Sequence, residues 1–86
     1  MGREDILDMI NVVLTTRELE PVADADLVLR DVGFRSLDFS EVALRLEDEL
    51  GYELNFEAST MRRIGTIRDV IDFFVEASLQ TDVHRV

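Results

Sequence analysis

The chain has 86 residues and a formal net charge of −10, because 19 acidic residues outnumber nine arginines, with no lysine. This length corresponds to one domain, residues 1–86, and the absence of cysteine excludes a disulfide framework and a thiolate metal site. Since like charges repel, the acidity argues against nucleic acid and membrane surfaces as partners and favours enzymes with basic docking surfaces. Solubility alone also explains such a charge.

No apolar run approaches the about 20 residues of a membrane span, and the start of the chain lacks a basic segment followed by an apolar one. We therefore expect a cytoplasmic protein that does not enter a membrane. With 47% hydrophobic residues, the chain can bury the apolar core on which so small a domain depends.

The first predicted element is a helix over 4–16. Its apolar residues recur at the spacing of one buried helical face: Ile6, Ile10, Val13 and Leu14. A connection over 17–35 follows, and loops of that length in a compact domain are usually functional or packed down. The apolar residues 27–29 and Val32 are expected to lie across the helices.

A second helix is predicted over 36–50. Its buried stripe consists of Phe39, Val42, Ala43, Leu46 and Leu50. Gly51 fits the left-handed residue that commonly follows a helix. A short helical turn is predicted near 57–62.

The last helix is predicted over 66–78, where Thr66 can cap the N-terminus and Asp69 weakly reproduces a capping box. Its buried face consists of Ile67, Val70, Ile71 and Phe74. Residues 79–86 are expected to form a frayed tail, which leaves a core over about 4–78. Three long helices and one short helix predict an all-α protein, a small four-helix bundle with a long loop between the first two helices.

The most informative segment lies where the long loop meets the second helix, and reads Gly33-Phe34-Arg35-Ser36-Leu37-Asp38. A serine there presents its hydroxyl on rigid backbone, and the unpaired N–H groups and positive dipole of the helix start favour a phosphate beside it. Serine is also a good N-cap, worth about 1 kcal/mol over alanine, so position alone favours a capping role.

The neighbours of the serine decide between these roles. The segment resembles the acyl and peptidyl carrier proteins, whose hallmark is a serine in a Gly-x-Asp-Ser-Leu setting that carries 4′-phosphopantetheine. Ser36 matches that serine, and Leu37 follows it as in the family. Asp31 and Gly33 stand at the family's loop positions, and the resemblance extends over residues 27–74.

The resemblance implies the helical fold predicted above. It also implies that other proteins catalyse the modification of the serine and the reactions of the cargo. A phosphopantetheinyl transferase with bound magnesium would direct the Ser36 hydroxyl onto the inner diphosphate of coenzyme A, which transfers the phosphopantetheine arm to the serine. The thiol of the arm would then carry an acyl or aminoacyl group as a thioester. The carrier itself is then not an enzyme and has no catalytic residue or metal ligand. The one histidine, His84, is expected to be a bystander in the tail, and the protein is expected to be a monomer.

The outer face of the second helix resembles the surface by which the family docks to its partners, here the enzymes that load and process the cargo. Two leucines seven residues apart are rimmed by charged side chains, and the set comprises Leu37, Asp38, Glu41, Leu44, Arg45 and Asp48. The alternative is that the leucines only widen the buried face.

Arg35 departs from the family, because the residue before the serine is usually aspartate, or histidine in some peptidyl carriers. It reverses a charge where partner enzymes approach, and it can pair with the phosphodiester of the attached arm. The departure favours a free-standing carrier of polyketide or nonribosomal peptide biosynthesis over a carrier of fatty-acid synthesis. Outside this class, an unmodified acidic docking or scaffold protein and a small helical regulator remain as alternatives.

The space between the second helix, the short turn and the last helix can shelter an apolar cargo. The residues available to line it are Phe39, Leu46, Met61, Ile64 and Ile71. In a domain this small, most of them are expected to be ordinary core residues.

Overall fold

A computed structural model describes the backbone of residues 2–54 and 58–84 and the side chains of 2–54 and 59–79. Over these ranges the chain is helical and contains no strand, which confirms the all-α prediction. No helix in the described part of the chain is long and apolar enough to cross a membrane. The described helices are α1 (Arg3–Thr16), α2 (Leu29–Val32), α3 (Ser36–Leu50), α4 (Ala58–Arg62) and α5 (Ile67–His84).

The long helices lie where the apolar periodicity predicts them, and α3 has the predicted bounds. The largest difference is at the end of α5, which continues to His84, so the prediction that the helix ends at residue 78 is wrong. No glycine or proline follows residue 78 to stop the helix, and an established helix extends at little cost per residue. Residue 57 of the predicted turn and residues 85–86 of the predicted tail lie outside the described residues.

The core forms where α1, α3 and α5 pack their predicted stripes together. The predicted apolar residues of α1 and α5 are all buried, and those of α3 are buried except for the half-buried Leu50. The rings of Phe39 and Phe74 lie within this core with their centroids 4.8 Å apart, a spacing at which aromatic pairs attract beyond their shared burial. This packing fixes the rotation of α3 about its axis and leaves Leu37 and Leu44 facing solvent.

The connection over 17–35 is packed down at both of its sides. Toward α1, the Asn11 side chain accepts the Val22 N–H at 2.7 Å and donates to the Val22 carbonyl at 2.9 Å. Toward α5, the Arg68 guanidinium donates to the Asp26 carboxylate at 2.8 Å. The connection therefore has a defined position although it contains little regular structure.

The same connection is joined to the loop that precedes α5. The Leu29 N–H donates to the Gly65 carbonyl at 2.9 Å, and the Ile67 N–H donates to the Leu27 carbonyl at 3.1 Å. These bonds flank an isolated antiparallel bridge between Val28 and Thr66. The two loops thus form one joined layer beside the start of α3.

A single helical turn within the connection, α2, is not predicted by the apolar pattern. Four residues are too few to display the 3.6-residue period on which such a prediction rests. The turn ends at Gly33, whose φ of +81° lies in the left-handed region. The described part of the chain therefore has five helices, of which two are short, instead of the predicted four.

Candidate functional site

Ser36 is the first residue of α3, and the capping position belongs to Arg35, whose backbone is extended (φ −116°, ψ 176°). The N-capping role considered for Ser36 is therefore wrong. The Ser36 side chain is exposed, and within the described residues it has no hydrogen-bond partner. Its hydroxyl is available to a reagent that approaches from solvent.

Asp38, two residues on, is placed differently from the prediction that it lies on a docking surface. Its side chain is buried, with 1% of the residue exposed. The carboxylate accepts the Arg35 N–H at 2.8 Å and forms an ion pair with Arg17, the residue that follows α1. The third position of a helix lets a carboxylate reach back to the capping residue, and here the Arg17 guanidinium covers it from the other side.

Gly33 and Phe34 hold the loop that leads to Ser36. A Cβ atom on Gly33 would lie 3.1 Å from Leu19 Cδ1, and the positive φ disfavours any side chain at this residue. Phe34 is buried, and its N–H donates to the Leu29 carbonyl at 3.0 Å. The approach to Ser36 is thus defined by a glycine-specific turn followed by a buried aromatic anchor.

Ser36 lines a cavity of about 620 Å³ between the joined loops, the start of α3 and α4. Its apolar lining consists of Val28, Leu29, Phe34, Phe39, Met61 and Ile64. Three of the five residues considered for sheltering a cargo are in this lining, whereas Leu46 and Ile71 are core residues that do not line it.

Two arginines, Arg30 and Arg35, line the same cavity. Both are exposed, and neither pairs with an acid within the described residues. In a chain with a net charge of −10, unpaired cations beside an exposed hydroxyl make a local environment that favours an anion. The first N–H groups of α3, which have no partner inside the helix, act in the same direction.

The remaining predicted docking residues lie on the outer face of α3. Leu37 is 77% and Leu44 61% exposed, so neither widens the buried face. Glu41 and Asp48 are exposed, and Arg45 is half-buried with its Nε 3.4 Å from the Glu41 carboxylate. The face therefore presents two separated leucines among charged side chains.

Sequence reasoning missed Arg17 and Arg30 as parts of this site. Arg17 lies 21 residues from Asp38, and no local pattern joins them. Arg30 belongs to the helical turn that periodicity does not detect. Among the described residues, no group of three or more His, Asp or Glu side chains is arranged to hold a metal ion.

The sequence resembles those of known proteins along most of its length. The sequence profile of the family described as "Phosphopantetheine attachment site" matches residues 4–74. The acyl carrier protein of Coprothermobacter proteolyticus is 34% identical over 85 residues, which cover 94% of this chain and 99% of that protein.

Two solved structures share the fold. The crystal structure of an acyl carrier protein from Thermotoga maritima has a TM-score of 0.72 at 19% identity, and the match covers 94% of this chain and 95% of that one. The solution structure of the acetyl actinorhodin acyl carrier protein from Streptomyces coelicolor has a TM-score of 0.69 at 24% identity and covers 94% of both chains. At these identities, the two structures establish the similarity of fold alone.

Proposed function

The chain belongs to the acyl carrier protein family, whose members are non-catalytic and carry 4′-phosphopantetheine covalently, and from this premise we propose that Ser36 is the attachment residue. The observation that carries the proposal is the Ser36 hydroxyl, exposed at the start of α3 and without a hydrogen-bond partner in the described part of the chain. When bound, the arm supplies a terminal thiol that holds an acyl or aminoacyl cargo as a thioester.

The residues around Ser36 fit this group. Its phosphodiester is an anion, and Arg35 and Arg30 are guanidinium groups without acidic partners in the described ranges, so they are the proposed phosphate contacts. The apolar wall of the cavity, which includes Phe39 and Met61, is the proposed shelter for an apolar cargo. The chain thus offers a nucleophile, positive charge and an apolar recess in one place.

A phosphopantetheinyl transferase with bound magnesium and coenzyme A is the proposed modifying partner. The chain's own contribution to that reaction is the Ser36 oxygen, presented on the rigid first turn of α3. Its second contribution is a surface for docking. Leu37 and Leu44 supply exposed apolar contacts, and Glu41 and Asp48 supply negative charge for partner enzymes with basic surfaces.

We assign the carrier to polyketide or nonribosomal peptide biosynthesis, with fatty-acid synthesis as the alternative. Arg35 supports this assignment, because it places a cation where fatty-acid carriers have an acid. The name of the 34% identical relative supports an acyl cargo over an aminoacyl one.

The proposal is tested by intact-mass spectrometry after incubation with coenzyme A, magnesium and a broad-specificity phosphopantetheinyl transferase. We expect the parent chain to gain the mass of one phosphopantetheinyl group and Ser36→Ala to gain none. Ser40→Ala is the matched control, because Ser40 is an exposed serine one turn farther along the same helix, and it should be modified like the parent.

Modification of Ser36→Ala would contradict the assignment. So would a folded parent chain that several transferases leave unmodified, and that result would favour an unmodified docking protein.

A further inference from the structure

The Asp38 carboxylate is one of the most buried polar groups in the described structure, and its surroundings are specific. It receives a backbone N–H from Arg35 at 2.8 Å and pairs with the Arg17 guanidinium. A carboxylate removed from water is tolerated only when it is paired and hydrogen-bonded, and both conditions are met here. Asp38 is therefore not available to contact another protein.

Arg17 makes a second bond from the same side-chain nitrogen. Nη1 donates to the Gly33 carbonyl at 3.1 Å in addition to pairing with Asp38. The guanidinium thus spans the gap between the loop and the first turn of α3, and it is itself fixed at the C-terminal end of α1. Arg17 thus holds the Gly33 carbonyl and the Asp38 side chain holds the Arg35 N–H, so the backbone that leads into Ser36 is tied to the end of α1 and to the first turn of α3.

Ser36 lies beside these bonds, and its side chain takes part in none of them. No described side chain restrains its hydroxyl, so the hydroxyl can rotate about the Cα–Cβ bond, and the backbone sets where the Cβ atom lies and therefore the region that the hydroxyl can reach. A displacement of a reacting atom by about 1 Å can slow a reaction by about 100-fold. The bonds of Arg17 and Asp38, which fix the backbone that carries Ser36, should therefore affect the rate of its modification.

We propose that Arg17 and Asp38 form a positioning pair that presents Ser36 to the transferase, acting through the backbone and not through contact with that enzyme. The inference rests on the proposed function, because it concerns the rate of the modification assigned to Ser36. It also replaces the docking role predicted for Asp38.

The test is a double-mutant cycle with Arg17→Gln, Asp38→Asn and the double variant. Asparagine keeps an oxygen that can accept the Arg35 N–H, so Asp38→Asn removes the charge while preserving that bond. The steady-state constants for phosphopantetheinylation are measured at saturating coenzyme A with the carrier as the varied substrate. Circular dichroism and thermal melting establish that each variant is folded at the assay temperature.

We expect either single substitution to lower kcat about 10-fold with little change in KM, because the exposed face of α3 is intact while the reacting oxygen is displaced. The double variant should be no slower than the slower single variant, since the pair acts as a unit. Arg3→Gln is the matched control. It removes the exposed ion pair between Arg3 and Asp72, which joins α1 to α5, and both constants should equal those of the parent.

Two kinetic results would overturn the inference. A rise in KM at constant kcat for Asp38→Asn alone would mean that Asp38 contacts the enzyme. Unchanged constants in folded variants would mean that the pair contributes stability only. A parent chain that is not modified at all would contradict the carrier function itself, and this outcome is visible before any variant is compared.

If Asp38→Asn does not fold, Arg17→Gln carries the test, because the Arg17 side chain is 36% exposed and its loss disturbs the core less. Amide hydrogen exchange at Arg35 then gives an independent measurement. Faster exchange at Arg35 together with a lowered kcat supports the positioning role, and faster exchange with an unchanged kcat contradicts it.

Discussion

Helices α3 and α5 begin in similar ways and differ in how the first turn is closed. Each has an aspartate at its third residue that accepts the N–H of the residue before the helix, Asp38 from Arg35 at 2.8 Å and Asp69 from Thr66 at 3.1 Å. At α5 the reciprocal bond is also present, because Thr66 Oγ1 accepts the Asp69 N–H at 3.2 Å. At α3 it is absent, since an arginine side chain has no acceptor.

Because of this difference in capping, the start of α5 is closed by its own side chains, whereas the start of α3 remains open to a ligand. A closed capping box satisfies helix N–H groups with the protein's own oxygens. At α3, the N–H groups and the positive end of the helix lie beside the exposed Ser36, and Arg35 adds a cation where a cap would stand. The buried pair of Arg17 and Asp38 fixes this start in place of a side-chain cap.

The glycines that precede the two helix starts should respond differently to substitution. Gly33→Ala should lower the free energy of unfolding by about 2 kcal/mol, because its φ is +81° and the new Cβ meets Leu19 at 3.1 Å. Gly65→Ala is the matched control, since its Cβ would have only Asp69 Oδ2 at 3.9 Å and its φ is not positive. Urea unfolding of both variants checks this, and an equal loss would refute the special geometry assigned to the loop before Ser36.

Replacing Thr66 and replacing Ser36 by alanine should also change the free energy of unfolding by different amounts. Thr66→Ala should lower the free energy of unfolding by about 1 kcal/mol, because it removes the acceptor of the Asp69 N–H. Ser36→Ala should change it by less than about 0.5 kcal/mol, because the Ser36 hydroxyl has no partner among the described residues. Chemical denaturation of the unmodified proteins measures both values. A loss near 1 kcal/mol for Ser36→Ala would restore a capping role for this serine.

The smallest expected effect is a dependence of stability on acidic pH. The Gly65 N–H, with further hydrogen bonds from Thr66, holds the pKa of Asp69 below its ordinary value of 3.8, although partial burial opposes this shift. A carboxyl with a lowered pKa in the folded state contributes stability that is present above its unfolded value and is lost as the pH falls through the folded value.

Asp69→Asn lacks this titration. Between about pH 6 and pH 3, it should therefore lose less stability than the parent, as measured by urea unfolding at several pH values. Equal losses in the two proteins would show that the α5 cap does not depend on the Asp69 charge.

The sequence predicts those parts of the molecule that local pattern determines. The stripe from Phe39 to Leu50 identifies α3 with its bounds, because a 15-residue amphipathic helix shows several periods. The pairing of Arg17 with Asp38 could not be predicted, since it depends on how the end of α1 meets α3 in space. From the sequence alone, a charged residue such as Asp38 at the third position of a helix is predicted to lie on the surface, because its distant partner Arg17 is not known.

The end of α5 and the turn α2 could not be predicted either, because the local sequence pattern determines neither of them. Residues 79–84 carry neither a strong apolar period nor a stop signal, so their helical state follows from propagation of the helix before them. In α2, a single turn is stabilised by the position of the loop against Gly65, a contact between distant parts of the chain.

The most direct test of the account is the identity of the residue that carries the arm. After coexpression with a phosphopantetheinyl transferase, proteolysis and tandem mass spectrometry locate the modification among the serines Ser36, Ser40, Ser59 and Ser78. The open start of α3 predicts modification at Ser36 and at no other serine. Modification at another serine, or a folded chain without any modification, would contradict the account.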